Sequence, residues 1–264
     1  MSRWIVSIFP PWMLLLGLIA IISGGSVLLG MALRSRFPRI TQDEHNDALR
    51  FGYGVIGFVY AFFIGFVVSA MWGQINDADP LVRTEGAAGV QLARDASVFD
   101  RADGDRIRHS LLSYERAAEA EWPTVARGRS LPEADTAMAM LYRTFKELTP
   151  RTDIQKAFLS TSLANLDTIS QSRTERIIEG TNDVGPTWPL WAVIFLTSGL
   201  VMSCTIVYGV EKPAMHYPMV AIVGAMVAAN LFLVLELSHP FVGDISTSPE
   251  PLHMVVEVLA QPPA

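Results

Sequence analysis

FGYGVIGFVYAFFIGFVVSAMWG, residues 51–73, decides the fold. These 23 residues carry no charged side chain. Coiled as a helix at 1.5 Å per residue they reach roughly 34 Å, enough to cross a bilayer core of about 30 Å. Gly57, Ala61, Gly65, Ser69 and Gly73 recur every fourth residue. Such a row of small side chains lets another helix backbone approach closely. Phe58, Phe62 and Phe66 form a second ridge beside it. Upstream lie the polar cluster Asp43-Glu44-His45-Asn46-Asp47 and then Arg50. One helix therefore offers a helix-packing seam, a ridge of phenylalanines and a charged entrance of Glu44, His45, Asp47 and Arg50.

Three further stretches read the same way. The chain is 50% hydrophobic and only 17% charged, against about 25% charged in ordinary soluble domains. The deficit is local: Trp12–Leu33, Pro189–Val210 and Tyr217–Leu235 also lack charged side chains. Each is close to the ~20 apolar residues a spanning helix needs. Trp12–Leu33 is too long for the 7–15-residue core of a cleaved leader, and Pro10-Pro11 suits a helix start, so it reads as a retained span. The expectation is an all-α integral membrane protein with spans at 12–33, 51–73, 189–210 and 217–235. A net charge of −6 argues against nucleic acid as a partner. Cys204 is the only cysteine, so the chain forms no internal disulfide.

Between the second and third spans lies a polar insert, residues 74–188, that reads as a helical extramembrane domain. Ala78–Val98 prolongs the second span. Asp105–Trp122 sets Ile107, Leu111, Leu112, Tyr114 and Ala118 opposite Arg106, Glu115, Arg116 and Glu119. Ser130-Leu-Pro-Glu133 has the cap, early proline and reciprocal glutamate of a helix start, after a break at Pro123–Leu131. Thr152-Asp-Ile-Gln155 opens another helix, with Ile154, Phe158, Ser162, Leu166, Ile169, Arg173 and Ile177 on one face. No alternating strand pattern occurs. The insert holds 14 Lys/Arg and 18 Asp/Glu, well mixed, which reads as a solvated helix surface. The expected domains are thus 1–73, 74–188, a second hairpin at 189–235, and a tail at 236–264 with one short helix after Ser248-Pro249-Glu250.

Four spans place the loops 34–50 and 211–216 on one side, with the termini and the insert on the other. Glu44, His45, Asp47, Glu211 and His216 then share a side, and imidazole with carboxylate suits zinc, iron or manganese. Their spacing fits no metal motif, so they read as capping and interfacial groups, and no metal or cofactor is expected. Glu211, Glu236 and His239 are polar residues at membrane boundaries. No nucleophile elbow frames any serine, and no enzyme is expected. Arginines 34, 36, 39 and 50 in the short loop favour that loop inside and the helical domain outside.

Glu44-His45-Asn46-Asp47 before a Phe/Gly-rich span, Tyr60-Ala61, Trp72, Glu211, Glu236-Leu-Ser-His-Pro-Phe-Val-Gly243 and Ser248-Pro-Glu-Pro251 resemble the bacterial bestrophin-like domain family. Arg83-Thr-Glu85 with Ala87-Ala88 is also similar, although Gly86 departs from the pattern. The resemblance covers nearly the whole chain and extends remotely to the bestrophin anion channels. It implies a homo-oligomeric channel in a bacterial inner membrane, with a pore lined by the second helix and inorganic ions, anions foremost, as the conducted species. It also implies a cytosolic helical domain, which opposes the arginine count, and the two orientations stay open. The alternative function is a non-conducting scaffold or signalling protein whose helical domain binds a partner.

Overall fold

A computed structural model describes residues 5–6, 8–36, 46–125, 127–181, 185–207, 213–243 and 245–261. All regular structure among them is helical. Four helices are long and apolar enough to cross a membrane: Pro11–Arg36, Gly52–Val98, Trp188–Val207 and Met215–Leu237. The chain divides into two compact units, Met1–Gly73 with Gly185–Ile245, and Gln74–Val184 with Ser246–Ala264.

In the first unit the leading span is α1 (Pro11–Ile19), a π-helical turn (Ala20–Gly24) and α2 (Gly25–Arg36). Proline opens α1, where its missing N–H is no loss. The π turn, which the hydropathy pattern does not betray, packs on α8 (Pro213–Leu237). There the Ser23 hydroxyl donates to the Ala221 carbonyl at 2.8 Å. A Cβ on Gly224 would lie 2.8 Å from the Ser23 Cα, so only glycine admits this crossing. Helix α7 (Trp188–Val207) packs on α8 and α2, and Gly30 faces the Ile206 methyl. Trp191 stacks on Phe195, their ring centroids 5.4 Å apart.

Helix α3 (Asn46–Asp95) runs unbroken for 50 residues with Pro80 inside it. A 3₁₀ turn, Ala96–Val98, ends it. The second unit adds α4 (Arg101–Val125), α5 (Pro132–Lys146), α6 (Asp153–Thr181) and α9 (Glu250–Ala260) to the polar part of α3. Val82, Leu92, Ile107, Leu111, Leu141, Leu166, Ile169, Leu252 and Val255 form its core, all fully buried. The hydrophobic effect that assembles this unit acts most strongly through one apolar stripe on each of α4, α5 and α9.

Several local expectations are met and some are corrected. The Gln155 amide donates to the Thr152 hydroxyl, and the Gln155 side chain accepts from Arg151 N–H, so this helix start is capped as read. Ser130 instead bonds the Asp135 carboxylate, and Leu131 occupies the cap position. Pro123 does not break α4, which continues to Val125. On α6, Ser162, Leu166, Ile169 and Arg173 are buried as read, whereas Ile154 is exposed and Gln155, Ser172 and Arg176 join the inner face.

Candidate functional site

The spanning part of α3 has two kinds of surface. Tyr60, Ile64, Val67 and Met71, spaced by four, three and four, are buried. Phe58, Phe62 and Phe66 project the other way and are 70–73% exposed. The small-residue seam is open as well: among the described residues, a Cβ on Gly57, Gly65 or Gly73 would meet nothing within 4 Å. Ala61 and Ser69 are exposed beside them. Among the described residues, therefore, the stripe of Tyr60, Ile64, Val67 and Met71 supplies the packing, and both ridges singled out by sequence remain uncovered. Glu44, His45 and Glu211 lie outside the described residues. Asp47 and Arg50 fall on the first turns of α3, and nothing further is described of their side chains.

At the far end of α8, Glu236 is fully buried and His239 nearly so. The motif they share with Gly243 has a steric logic. Gly243 has φ +98°, where an L side chain is strained, and a Cβ there would lie 2.8 Å from Glu236 Oε2. His216, on the first turns of α8, is also fully buried, its ring edge-on to Tyr217. Among the described residues no cluster of three His, Cys, Asp or Glu side chains is placed to hold a metal.

The densest polar arrangement among the described residues lies inside the helical unit, where the sequence placed Tyr114 and Arg173 on inner faces but read the glutamates as surface. Glu85 of α3, Glu115 and Glu121 of α4 and Arg176 of α6 are fully buried. Arg176 Nε donates to Glu85 Oε2 at 3.0 Å and its Nη2 to Oε1 at 3.1 Å. Arg173 grips Glu121 at 3.0 and 2.6 Å and reaches Asp135 of α5 at 2.7 Å. Arg176 Nη2 also lies 3.6 Å from Glu121, joining the two forks. The Tyr114 hydroxyl donates to Glu85 at 2.6 Å, and Glu121 accepts the Leu131 amide at 2.8 Å. The Trp122 ring lies under the Arg176 guanidinium, 5.5 Å away. Burial and the nearby Glu85 charge push the Tyr114 phenol well above its ordinary range. Burial works against the charge of Arg173, yet its bonds to Glu121 and Asp135 raise its pKa further. Four helices are thus cross-linked by charge-assisted, bidentate contacts, whose fixed fork geometry selects one mutual arrangement.

The sequence did carry a signal for this network. Glu85 stands three residues after Val82 and three before Ala88, on the buried stripe. Glu115 stands four after Leu111 and three before Ala118, so helical spacing puts it on the apolar face and not opposite to it.

The profile of the Bestrophin-like domain matches residues 20–252. Two solved variants of a bacterial bestrophin homolog from Klebsiella pneumoniae share the fold. The first, with an isoleucine-to-threonine change, aligns at a TM-score of 0.67 and 14% identity over 92% of this chain and 99% of that one. The second, with a tyrosine-to-alanine change, aligns at 0.68 and 15% identity over 91% and 97%. No curated protein matches the sequence. Four apolar helices, an all-helical fold shared with a bestrophin homolog and a family match over most of the chain lead to one conclusion: this membrane protein belongs to the Bestrophin-like domain family.

Proposed function

We propose that the chain assembles into a homo-oligomeric, anion-conducting channel whose pore is lined by the spanning part of α3. The observation that carries this reading is the exposure of Phe58, Phe62 and Phe66 on the helix whose opposite stripe is buried. In a ring of copies, the open seam of Gly57, Ala61, Gly65, Ser69 and Gly73 admits close contact with a neighbouring helix. The phenylalanines then face the axis, where a hydrophobic constriction gates ions by dewetting. Glu44, His45, Asp47 and Arg50 stand at one mouth in this reading. Acid rings favour cations, so anion preference requires Arg50 and its neighbouring arginines to turn into the vestibule.

The helical unit serves as an extramembrane domain inserted between the second and third spans, and the protein sits in a bacterial inner membrane. The resemblance to the bestrophin homolog supports both assignments through fold alone. Native mass spectrometry of the purified protein tests the assembly, with a defined oligomer expected for the natural sequence and a loosened one for Gly65→Leu. Chloride and potassium flux from proteoliposomes tests conduction, with chloride leaving faster. A stable monomer without flux moves the assignment to a scaffold that binds a partner through its helical unit.

A further inference from the structure

Helix α9 lies along α4 in the second unit, held by contacts of three kinds. Leu252, Val255 and Leu259 enter the core. Arg108 Nη2 donates to the carbonyls of Leu259 and Gln261 at 2.9 and 2.7 Å, which occupies acceptors left over at the end of the helix. His253 Nδ1 meets Glu119 Oε1 at 3.0 Å. Under the middle of α9, Val255 from above and Glu115 from α4 converge on Gly89. A Cβ on Gly89 would be 2.7 Å from Glu115 Oε1 and 3.0 Å from a Val255 methyl. Glu115 is fully buried there, and among the described residues neither carboxylate oxygen has a hydrogen-bond partner.

Charge balance decides the state of that carboxyl. From α3 it faces Glu85, from α6 Arg176, and on its own helix Tyr114 and Glu119. The two guanidiniums, Arg173 and Arg176, are already bonded by Glu85, Glu121 and the α5 residue Asp135. An ionised Glu115 would make three fully buried carboxylates, with Glu85 and Glu121, beside two guanidiniums of which Arg173 is shared with the half-exposed Asp135. On α9 the ionisable groups are His253, Glu250 and Glu257, with Glu257 3.7 Å from the His253 ring. A protonated His253 offsets Glu119, while a neutral one leaves Glu119 beside two further acids.

We propose that Glu115 and His253 form a proton-dependent latch, which holds the C-terminal helix α9 on the helical unit and releases it as pH rises. The sign is the same for both groups. Burial, with the Glu85 charge next, raises the Glu115 pKa well above the ordinary carboxyl value. Docked Glu115 therefore keeps a proton that undocked Glu115 gives up, and docking weakens as pH climbs from the ordinary value to the raised one. The bond to Glu119 raises the His253 pKa above its ordinary value. Its contribution is complete below that ordinary value and is lost as pH passes through the raised one.

Hydrogen–deuterium exchange of the full-length protein in lipid nanodiscs tests this directly, comparing residues 250–260 with 133–146 between pH 6 and pH 9 after scaling for intrinsic exchange. Opening of α9 should rise by up to about tenfold per pH unit for each proton released, while α5 stays protected. Glu115→Gln, which keeps the side-chain shape without the proton, should flatten its share of the slope. His253→Ala, at an exposed side chain, should flatten the other. A flat wild-type profile overturns the proposal, as does an unchanged slope in both variants. Equal loosening of α5 also overturns it, because that would be general destabilisation.

Discussion

The two halves of α3 invert the usual relation between polarity and burial. In residues 51–73 no charged side chain occurs, yet three phenylalanines and a seam of small residues are uncovered. In residues 74–95 charges are frequent, yet Glu85 is fully buried. The difference lies in the surrounding solvent. A bilayer gives no hydrophobic reason to hide phenylalanine, so close packing there depends on shape, as at Gly224. Water punishes exposed apolar surface, so the polar half commits one stripe to a core. Any carboxylate on that stripe then needs a cation brought with it.

The largest expected break comes from removing that cation. Arg176→Met leaves Glu85 with Tyr114 alone and strands Glu121 beside Arg173, and should destabilise the protein by about 3–5 kcal/mol. Chemical denaturation of the full-length chain in detergent would show it. Removing only Glu85, as Gln, should cost less because its hydrogen bonds partly survive.

The glycines sharpen the contrast next. A Cβ on Gly180 would lie 2.0 Å from the Val125 carbonyl oxygen, and one on Gly86 2.5 Å from that of Pro251. Gly180→Ala and Gly86→Ala should each lose about 1–3 kcal/mol through forced backbone movement. Gly57→Ala and Gly65→Ala meet nothing within 4 Å among the described residues. They should leave monomer stability unchanged, and any effect on oligomer size would expose a contact between copies.

The smallest effect is expected at Asp135, whose side chain is 52% exposed although it bonds Arg173. That bond holds its carboxyl below the ordinary value. Its contribution is therefore present above the ordinary value and lost as pH falls through the depressed one. Solvent screening keeps Asp135→Asn within about 1 kcal/mol in thermal melts at neutral pH.

How much was legible follows the same division. Four spans are readable because 19 to 23 residues without charge have few other uses in a chain this long. The start at Thr152 is readable because its cap is local, written within four residues. Glu85 and Glu121 were not legible as buried, because their partners stand far along the chain, Arg176 being 91 residues from Glu85 and Arg173 52 from Glu121. Charge mixing alone cannot separate such a network from a wet surface, although helical phase would have flagged Glu115. The π turn at Ala20–Gly24 changes backbone bonding without changing hydropathy, so composition is blind to it. The ridges on α3 were legible as patterns, but a single chain leaves both without the neighbour that would give them a role.

Single-channel recording in planar bilayers reaches that role most directly, comparing the natural sequence with Phe62→Ala. The account predicts discrete currents from the natural protein and a larger unitary conductance from Phe62→Ala, since shortening the side chain widens and wets a hydrophobic gate. Silence from both proteins across voltage and pH, with the oligomer intact, would contradict it.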